Sequence, residues 1–393
     1  MAIKGSGSPM ETVDEYFDML IKSRFIEISH STDTKHVPLG SLIKPYVAQR
    51  CEDCDYPVLS ITRHQGLILQ SDRFKKEIAS RDKSQYKVIP RNVLVVAFPI
   101  DEGLLCAQQI VDNGLVSPAY KTYKIDEKIV FPRILELILR SDKSISYYLS
   151  KMRGTTLRRR TLPEEEFQSM LIDLPSMSMQ KHFIKMLEQI DVVKIICKQI
   201  FQLFDDLVKS RFIELFGDLK TNSKHWELKK LSEVAEMPLH YGSTASAIDY
   251  DGVVRYVRIT DIGTNGKLND DFKSPSEFDE KYLINKGDIL FARSGSIGLT
   301  YEYSEDYRSI FAGYLIRFIP NKKKLNPTFV YYFTRTDYCQ SILLGSKRGG
   351  VQKNVNAKQL GDIVIPIPPM DLQESFVAFV EQVDKSKFEV VQS

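Results

Sequence analysis

Twelve residues near the start of the chain, Phe17 to Ile28, return as Phe204 to Leu215 with nine identities. The recurring block, FDMLIKSRFIEI against FDDLVKSRFIEL, makes the chain two copies of one unit. A period near 190 residues is too long for a solenoid repeat, and it matches a whole domain plus a helix. Duplication of that kind suits an extended partner with two sites.

The repeat continues beyond the block. Leu174 to Asp191 matches Ile367 to Asp384 in Pro, Met, Gln, Phe, Glu, Gln and Asp at an offset of 193. Pro132, Arg140, Asp142, Arg153 and Gly154 fall on Pro327, Arg335, Asp337, Arg348 and Gly349 at an offset of 195. After Pro175 the apolar positions Phe183, Met186, Ile190, Val193, Cys197, Ile200, Phe204 and Leu207 step by three and four, which predicts a coiled-coil seam on a long helix. Ser178 is its candidate cap and Gly217-Asp218 its stop. About 38 residues give a rod of about 57 Å. Leu187, Ile196, Phe201, Leu203, Val208 and Phe212 are apolar too, so a second packed surface is expected, against the adjoining domains or another protein.

By these offsets Ser393 corresponds to position 200 and Asp14 to position 201. The second copy of the helix is then split between the chain ends, with Leu20, Phe376 and Val380 among its packing residues, and the two pieces are expected along one side of the central helix. The expected plan is a leader at 1–9 with Met10 as the start, an N-terminal helix piece at 10–35, a first domain at 36–163, the central helix at 164–224, a second domain at 225–362 and a C-terminal helix piece at 363–393.

Each large segment mixes strand-like with helix-like stretches. Val253–Thr260, Asp288–Ala292 and Tyr314–Ile319 are β-rich runs, answered by Tyr56–Thr62, Val93–Ala97 and Ala119–Ile125. One helix is expected at Phe329–Leu344 and one at Ile134–Leu149. The fold class is therefore α/β, in the α+β sense: two similar mixed domains separated by long antiparallel helices, pseudo-twofold and cyclic.

Composition narrows the function. With 43% hydrophobic and 27% charged residues the chain is that of an ordinary globular protein. No apolar run of membrane-spanning length and no signal-type N-terminus occurs, so a cytoplasmic location is expected. The five cysteines do not suggest a secreted framework; Cys51 and Cys54 have metal or redox spacing, but without a second pair they are expected to be reduced thiols in a loop. Net charge is only +3, yet 36–163 holds 21 Lys and Arg against 13 Asp and Glu, and 225–362 holds 19 against 17. The connecting segments are acidic, so the two domains suit a polyanion and the connectors suit protein partners.

Trp226–Val234, Arg258-Ile-Thr-Asp261, Lys286-Gly-Asp-Ile-Leu-Phe291 followed by Arg293-Ser-Gly-Ser-Ile-Gly298, and Ile365–Gln373 resemble the specificity subunits of type I restriction-modification systems. Their order, duplication and intervening helix carry the resemblance, over both halves of the chain. It implies two target-recognition domains, each reading half of a bipartite site in double-stranded DNA, with two antiparallel conserved helices between them. It also implies docking of two methyltransferase subunits on the helices and attachment of restriction subunits. S-adenosylmethionine, and ATP with Mg2+ for restriction, would sit on those partners, with no cofactor or metal on this chain. The first segment departs from the pattern: Lys286-Gly-Asp288 becomes Arg91-Asn92, and the Arg293–Ser296 turn has no clear copy.

Residues 143–163 carry Lys143, Lys151, Arg153, Arg158, Arg159 and Arg160 without an acid, and 338–361 carry Lys347, Arg348, Lys353 and Lys358 likewise. An acid-free basic loop after the same helix in both copies is the leading phosphate-binding candidate, through counterion release. Gln352 and Asn354 beside it pair with adenine, and the arginines with guanine, in the major groove. A second candidate surface is Arg258, Thr260 and Asp261, matched by Ser60, Thr62, Arg63, His64 and Gln65. A third is the turn with Arg293, Ser294 and Ser296. Tyr241, Tyr256 and Tyr314 are expected in the core.

No phosphate-binding loop, dinucleotide fingerprint or zinc-protease motif occurs. Asn326-Pro-Thr-Phe329 resembles the Asn-Pro-Pro-Phe element of adenine methyltransferases, but its copy Phe131-Pro-Arg-Ile134 points to Pro327 as a helix start. Three readings stand: a specificity subunit, a stand-alone DNA-binding regulator that forms no methyltransferase complex, and a self-contained nuclease or methyltransferase active by itself. Under the first, the helix pair acts as a ruler setting half-sites about one turn, about 34 Å, apart.

Overall fold

The computed structural model describes residues 9–29, 33–52, 54–63, 66–73, 83–153, 161–263, 266–345 and 354–392. It divides into two compact units, one of 17–192 and one of 1–16 with 193–393. Helix α1 spans Pro9–Ser29, and the first unit then holds a four-stranded sheet of β1 (Ile43–Pro45), β2 (Val93–Val96), β3 (Leu105–Ala107) and β4 (Lys121–Ile125). Helices α2 (Pro132–Leu139), α3 (Asp142–Lys151) and α4 (Met177–Phe216) follow. The other unit repeats the plan with β5 (His240–Tyr241), β6 (Ile289–Ala292), β7 (Thr300–Glu302) and β8 (Leu315–Phe318), then α5 (Pro327–Thr334), α6 (Asp337–Leu343) and α7 (Met370–Gln392).

The sheets run in the same order, β1-β4-β2-β3 and β5-β8-β6-β7. Register agrees as well. Leu94 pairs with Tyr123 and Ala107, while Ile289, 195 residues on, pairs with Phe318 and Glu302. Each insert is closed at its neck: Lys35–Pro38 pairs antiparallel with Leu171–Leu174, and Glu227–Lys230 with Val364–Ile367. The expected strand at Val253–Thr260 is reduced to Arg255–Val257, because a 3-10 turn begins at Ile259.

Two expected helices are each broken in two. The break falls at Arg140-Ser141 and again at Arg335-Thr336, where the hydroxyls of Ser141 and Thr336 accept the Ser144 and Cys339 amides at 3.3 Å and start a new helix. A Ser or Thr followed by Asp is a capping signal strong enough to interrupt an apolar run. Asn326 also acts as a cap: its side chain accepts the Thr328 amide at 2.9 Å and Pro327 opens α5. That disposes of the methyltransferase-like reading of this segment.

One residue ties each insert to its long helix. The fully buried Gln180 accepts the Phe131 amide at 3.0 Å and donates to the Ile129 and Pro175 carbonyls at 3.1 and 2.9 Å. Its copy Gln373 accepts the Asn326 amide at 2.8 Å and donates to the Lys324 and Pro368 carbonyls at 3.0 and 2.8 Å.

Helix α4 is 40 residues, about 60 Å, and begins at Met177, so Ser178 lies inside it and is not its cap. It ends where expected, with Gly217 at φ +80° and the indole Nε1 of Trp226 donating to the Phe216 carbonyl at 3.0 Å. The buried seam is Phe183, Leu187, Ile190, Cys197, Phe201, Val208, Phe212 and Phe216. Of the expected packing residues Phe183 and Ile190 belong to it and Met186, Ile200 and Phe204 flank it, but Val193 and Leu207 are exposed. A straight helix drifts from a strict heptad, so Leu187, Phe201 and Val208 supply the inner positions instead.

Within each unit the terminal helix segment packs on the part of α4 that belongs to that unit. Phe25 meets Phe183 at 5.8 Å and Asp14 pairs with Lys194 at 3.2 Å; Leu20 is half-buried. Lys387 pairs with Asp205 at 2.7 Å, and the buried Phe376 meets Phe212 at 5.3 Å, with Val380 also buried.

Cys51 and Cys54 are joined as a disulfide, where the sequence reading expects reduced thiols. Their Cα atoms, 5.4 Å apart, lie within bridging distance.

Candidate nucleic-acid interface

The turn that leaves β6 gathers two of the three candidate surfaces. The Arg293 amide donates to the Tyr314 carbonyl at 3.1 Å, and its own carbonyl accepts the Val355 amide at 2.8 Å. Ser294 forms an antiparallel bridge with Asn354. Arg293, Ser294 and Asn354 are thereby placed together, at the exit of the basic segment. Lys347, Arg348, Gln352 and Lys353 lie outside the described residues. Ser296 is exposed in the same turn, beside Gly295 at φ +71°.

The Arg293 guanidinium stacks over Tyr241 at 4.6 Å, and the Tyr241 hydroxyl in turn accepts the Ala357 amide at 3.1 Å. No carboxylate among the described residues pairs with Arg293, and its buried Nε has no hydrogen-bond partner. A guanidinium oriented by an aromatic face and without a carboxylate partner among the described residues suits a bidentate acceptor such as guanine or phosphate. Tyr241 and Tyr314 are exposed, the latter by 64%, so only Tyr256 of the three tyrosines is in the core as expected. A tight turn holds Tyr314 outward: the Gly313 amide donates to the Ser243 carbonyl at 2.7 Å and Leu315 to Ala312 at 2.9 Å.

Other predicted cations have internal partners. Arg258 donates to Asp261 at 2.5 Å and to Asp271 at 2.9 Å, while the buried Asp261 accepts the Arg258 amide at 2.8 Å and the Thr260 hydroxyl at 3.3 Å. Turn chemistry accounts for this trio. Asp288, in the Lys286-Gly-Asp motif, forms a buried ion pair with Arg317 at 2.6 Å. Burial pushes the Asp288 carboxyl up from its ordinary value, against the Asn285 amide and the Arg317 charge.

In the other unit Lys151 and Arg153 both reach Glu166, at 3.2 and 3.4 Å. Arg153 and Thr161 exchange two backbone hydrogen bonds of 3.0 Å, which close the base of the basic loop. Arg158, Arg159 and Arg160 lie outside the described residues, as do His64 and Gln65. The Thr62 hydroxyl donates to the Gly66 carbonyl at 3.1 Å, and Arg63 pairs with Glu102 at 2.9 Å. Asn92 sits at φ +65° where its copy Gly287 is at +90°, so asparagine replaces the missing glycine in the left-handed turn.

The Arg293–Gly298 turn has a structural copy that the sequence hid. Ala97 donates to Leu104 at 2.8 Å as Ala292 donates to Leu299 at 2.9 Å, and Gly103 and Gly298 close the two turns at φ +72° and +91°. Phe98–Gly103 is that copy, and Arg63 reaches it through Glu102. Among the described residues there is no group of His, Cys, Asp and Glu able to hold a metal ion.

Residues 223–392 match the family described as type I restriction modification DNA specificity domain. The chain is 25% identical over 266 residues to the type I restriction enzyme EcoBI specificity subunit of Escherichia coli, covering 60% of this chain and 56% of the relative. It is 24% identical over 262 residues to the MjaVIII specificity subunit of Methanocaldococcus jannaschii, covering 61% and 60%. The matched region thus spans less than two thirds of either relative. Solved structures similar to it include the HsdS subunit of Thermoanaerobacter tengcongensis, with TM-score 0.39, 17% identity and 92% of each chain covered. Another is the S subunit of the M. genitalium type I system, with TM-score 0.44, 14% identity and 92% of each chain covered. Residues 223–392, somewhat less than half of the chain, are thus similar to the DNA specificity domain of type I restriction-modification systems.

Proposed function

We propose that this chain reads a bipartite target in double-stranded DNA for a type I restriction-modification complex and catalyses nothing itself. Each α/β unit contacts one half-site through its basic loop and the turn beside it. The observation that carries this reading is Arg293: a cation without an acid partner among the described residues, stacked on Tyr241 and hydrogen-bonded through its backbone to the exit of an acid-free basic segment in a duplicated frame. In the first unit the basic loop begins at Arg153, the copy of Arg348, with Arg158, Arg159 and Arg160 beyond it.

Two methyltransferase subunits are the partners, joined by two restriction subunits where cleavage accompanies modification. S-adenosylmethionine, ATP and Mg2+ belong to those subunits. The exposed apolar residues Val193, Ile196, Leu203 and Leu207 of α4 support a protein partner on that helix. The complex works in the cytoplasm; among the described residues no helix is long and apolar enough to cross a membrane.

The test is binding of a duplex by the chain copurified with its methyltransferase. Arg153→Ala or Arg348→Ala should each weaken binding severalfold at moderate salt and lower the slope of log affinity against log salt by about one. Unchanged affinity and slope in both variants would count against the basic loops. A chain that binds no methyltransferase would instead favour a stand-alone regulator.

A further inference from the structure

We infer that Phe98 is the side chain with which the first unit recognises a thymine 5-methyl group in its half-site. The inference rests on the DNA-reading proposal above and adds a residue that the sequence did not mark. Register places Phe98 on the position of Arg293, because the preceding residues Ala97 and Ala292 make the same hydrogen bond and the same glycine closes both turns. The frame is rigid on either side: Val93 to Ala97 and Ile100 are buried. Phe98 itself is 49% exposed, so a large apolar ring is held out from a fixed backbone where the other unit holds out a guanidinium.

The two side chains ask opposite questions of a base edge. An arginine fork matches the paired acceptors of guanine, whereas a phenyl ring offers no hydrogen bond and gains only from apolar contact. In the major groove the thymine methyl is the one apolar group that a base presents. Of the two acids in the Phe98 turn, Glu102 is engaged by Arg63 at 2.9 Å.

The experiment uses the full chain in complex with its methyltransferase, and duplexes carrying the motif found in methylated DNA, with each thymine in turn replaced by uracil. Uracil pairs as thymine does and lacks only the methyl. One replacement in the half-site read by the first unit should lower wild-type affinity about threefold to fivefold, the worth of one buried methyl. Phe98→Ala should bind the thymine and uracil duplexes equally, Phe98→Leu should keep part of the difference, and Arg293→Ala should keep all of it. A first half-site without thymine, a wild-type complex indifferent to every replacement, or Phe98→Ala and Phe98→Leu that still discriminate fully, would each overturn the assignment. If the complex shows no sequence preference at all, the DNA-reading proposal itself fails, which is a separate result.

Discussion

The buried pair Asp288 and Arg317 shows how one frame tolerates different residues. At the equivalent positions the first unit has Val93, which is buried, and Thr122, whose hydroxyl donates to the Tyr46 carbonyl at 2.8 Å. Breaking the pair should be costly: Asp288→Asn leaves an uncompensated buried guanidinium and should lower stability by about 3–5 kcal/mol in urea unfolding. Replacing both, as Asp288→Val with Arg317→Thr, should cost less than either single change, and additive losses would refute that view. Glu164 gives a pH-dependent counterpart. Burial works against its ionisation, but Lys121 at 2.8 Å, with Gln168 and Tyr123, outweighs it and holds the carboxyl below the ordinary value. A depressed carboxyl stabilises the fold above its unfolded pKa of about 4.3, and the gain is lost as pH falls through the lower folded value. The stability difference between wild type and Glu164→Gln should therefore be constant near neutrality and shrink as pH drops below about 4; a difference independent of pH would exclude the ion pair as its source. Charge was legible in the sequence, whereas availability was not. Lys151 and Arg153 stand in an acid-free run that ends at Pro163, yet Glu166 three residues further on engages both. Arg258 is occupied by acids at 261 and 271, and only folding brings the second within reach.

Among the elements, the long helix and its stop were readable because helical period, Gly217 and the repeat agree. The seam was displaced because apolar residues cover more than one stripe of α4, and spacing alone does not say which stripe faces inward. The breaks at Ser141 and Thr336 were missed because apolar periodicity continues across them, although both capping residues are printed in the repeat. The glutamine ties were legible only as identities. Gln180 and Gln373 each serve one amide and two carbonyls in a dry environment, so truncation leaves several buried groups unsatisfied. Gln180→Ala and Gln373→Ala should each cost about 2–4 kcal/mol and should loosen the entry to α2 or α5, respectively, as read by amide hydrogen exchange. Exchange unchanged at those helix starts would contradict the role assigned to the ties.

For the whole molecule, duplication was the most legible property, down to a shared offset of 195 in sheet register. What the sequence hid was the copy of the Arg293 turn, since Phe98–Gly103 keeps the hydrogen bond that opens the turn and the glycine that closes it while changing the chemistry of nearly every other side chain. That is the expected outcome when a frame is held by buried strands and its outward residues are free to vary. On the proposed function, α4 and the terminal helices packed on it set the distance between the half-sites. Deleting seven residues from α4 keeps its inner stripe nearly in phase and removes about 10 Å, the rise of about three base pairs. The decisive measurement is methylation-sensitive sequencing of DNA from cells carrying this chain with its methyltransferase partner, either intact or with that deletion. The intact chain should yield one bipartite motif with an unread spacer, and the deletion should leave the half-sites unchanged but shorten the spacer; a continuous motif, or a spacer indifferent to the helix, would contradict the account.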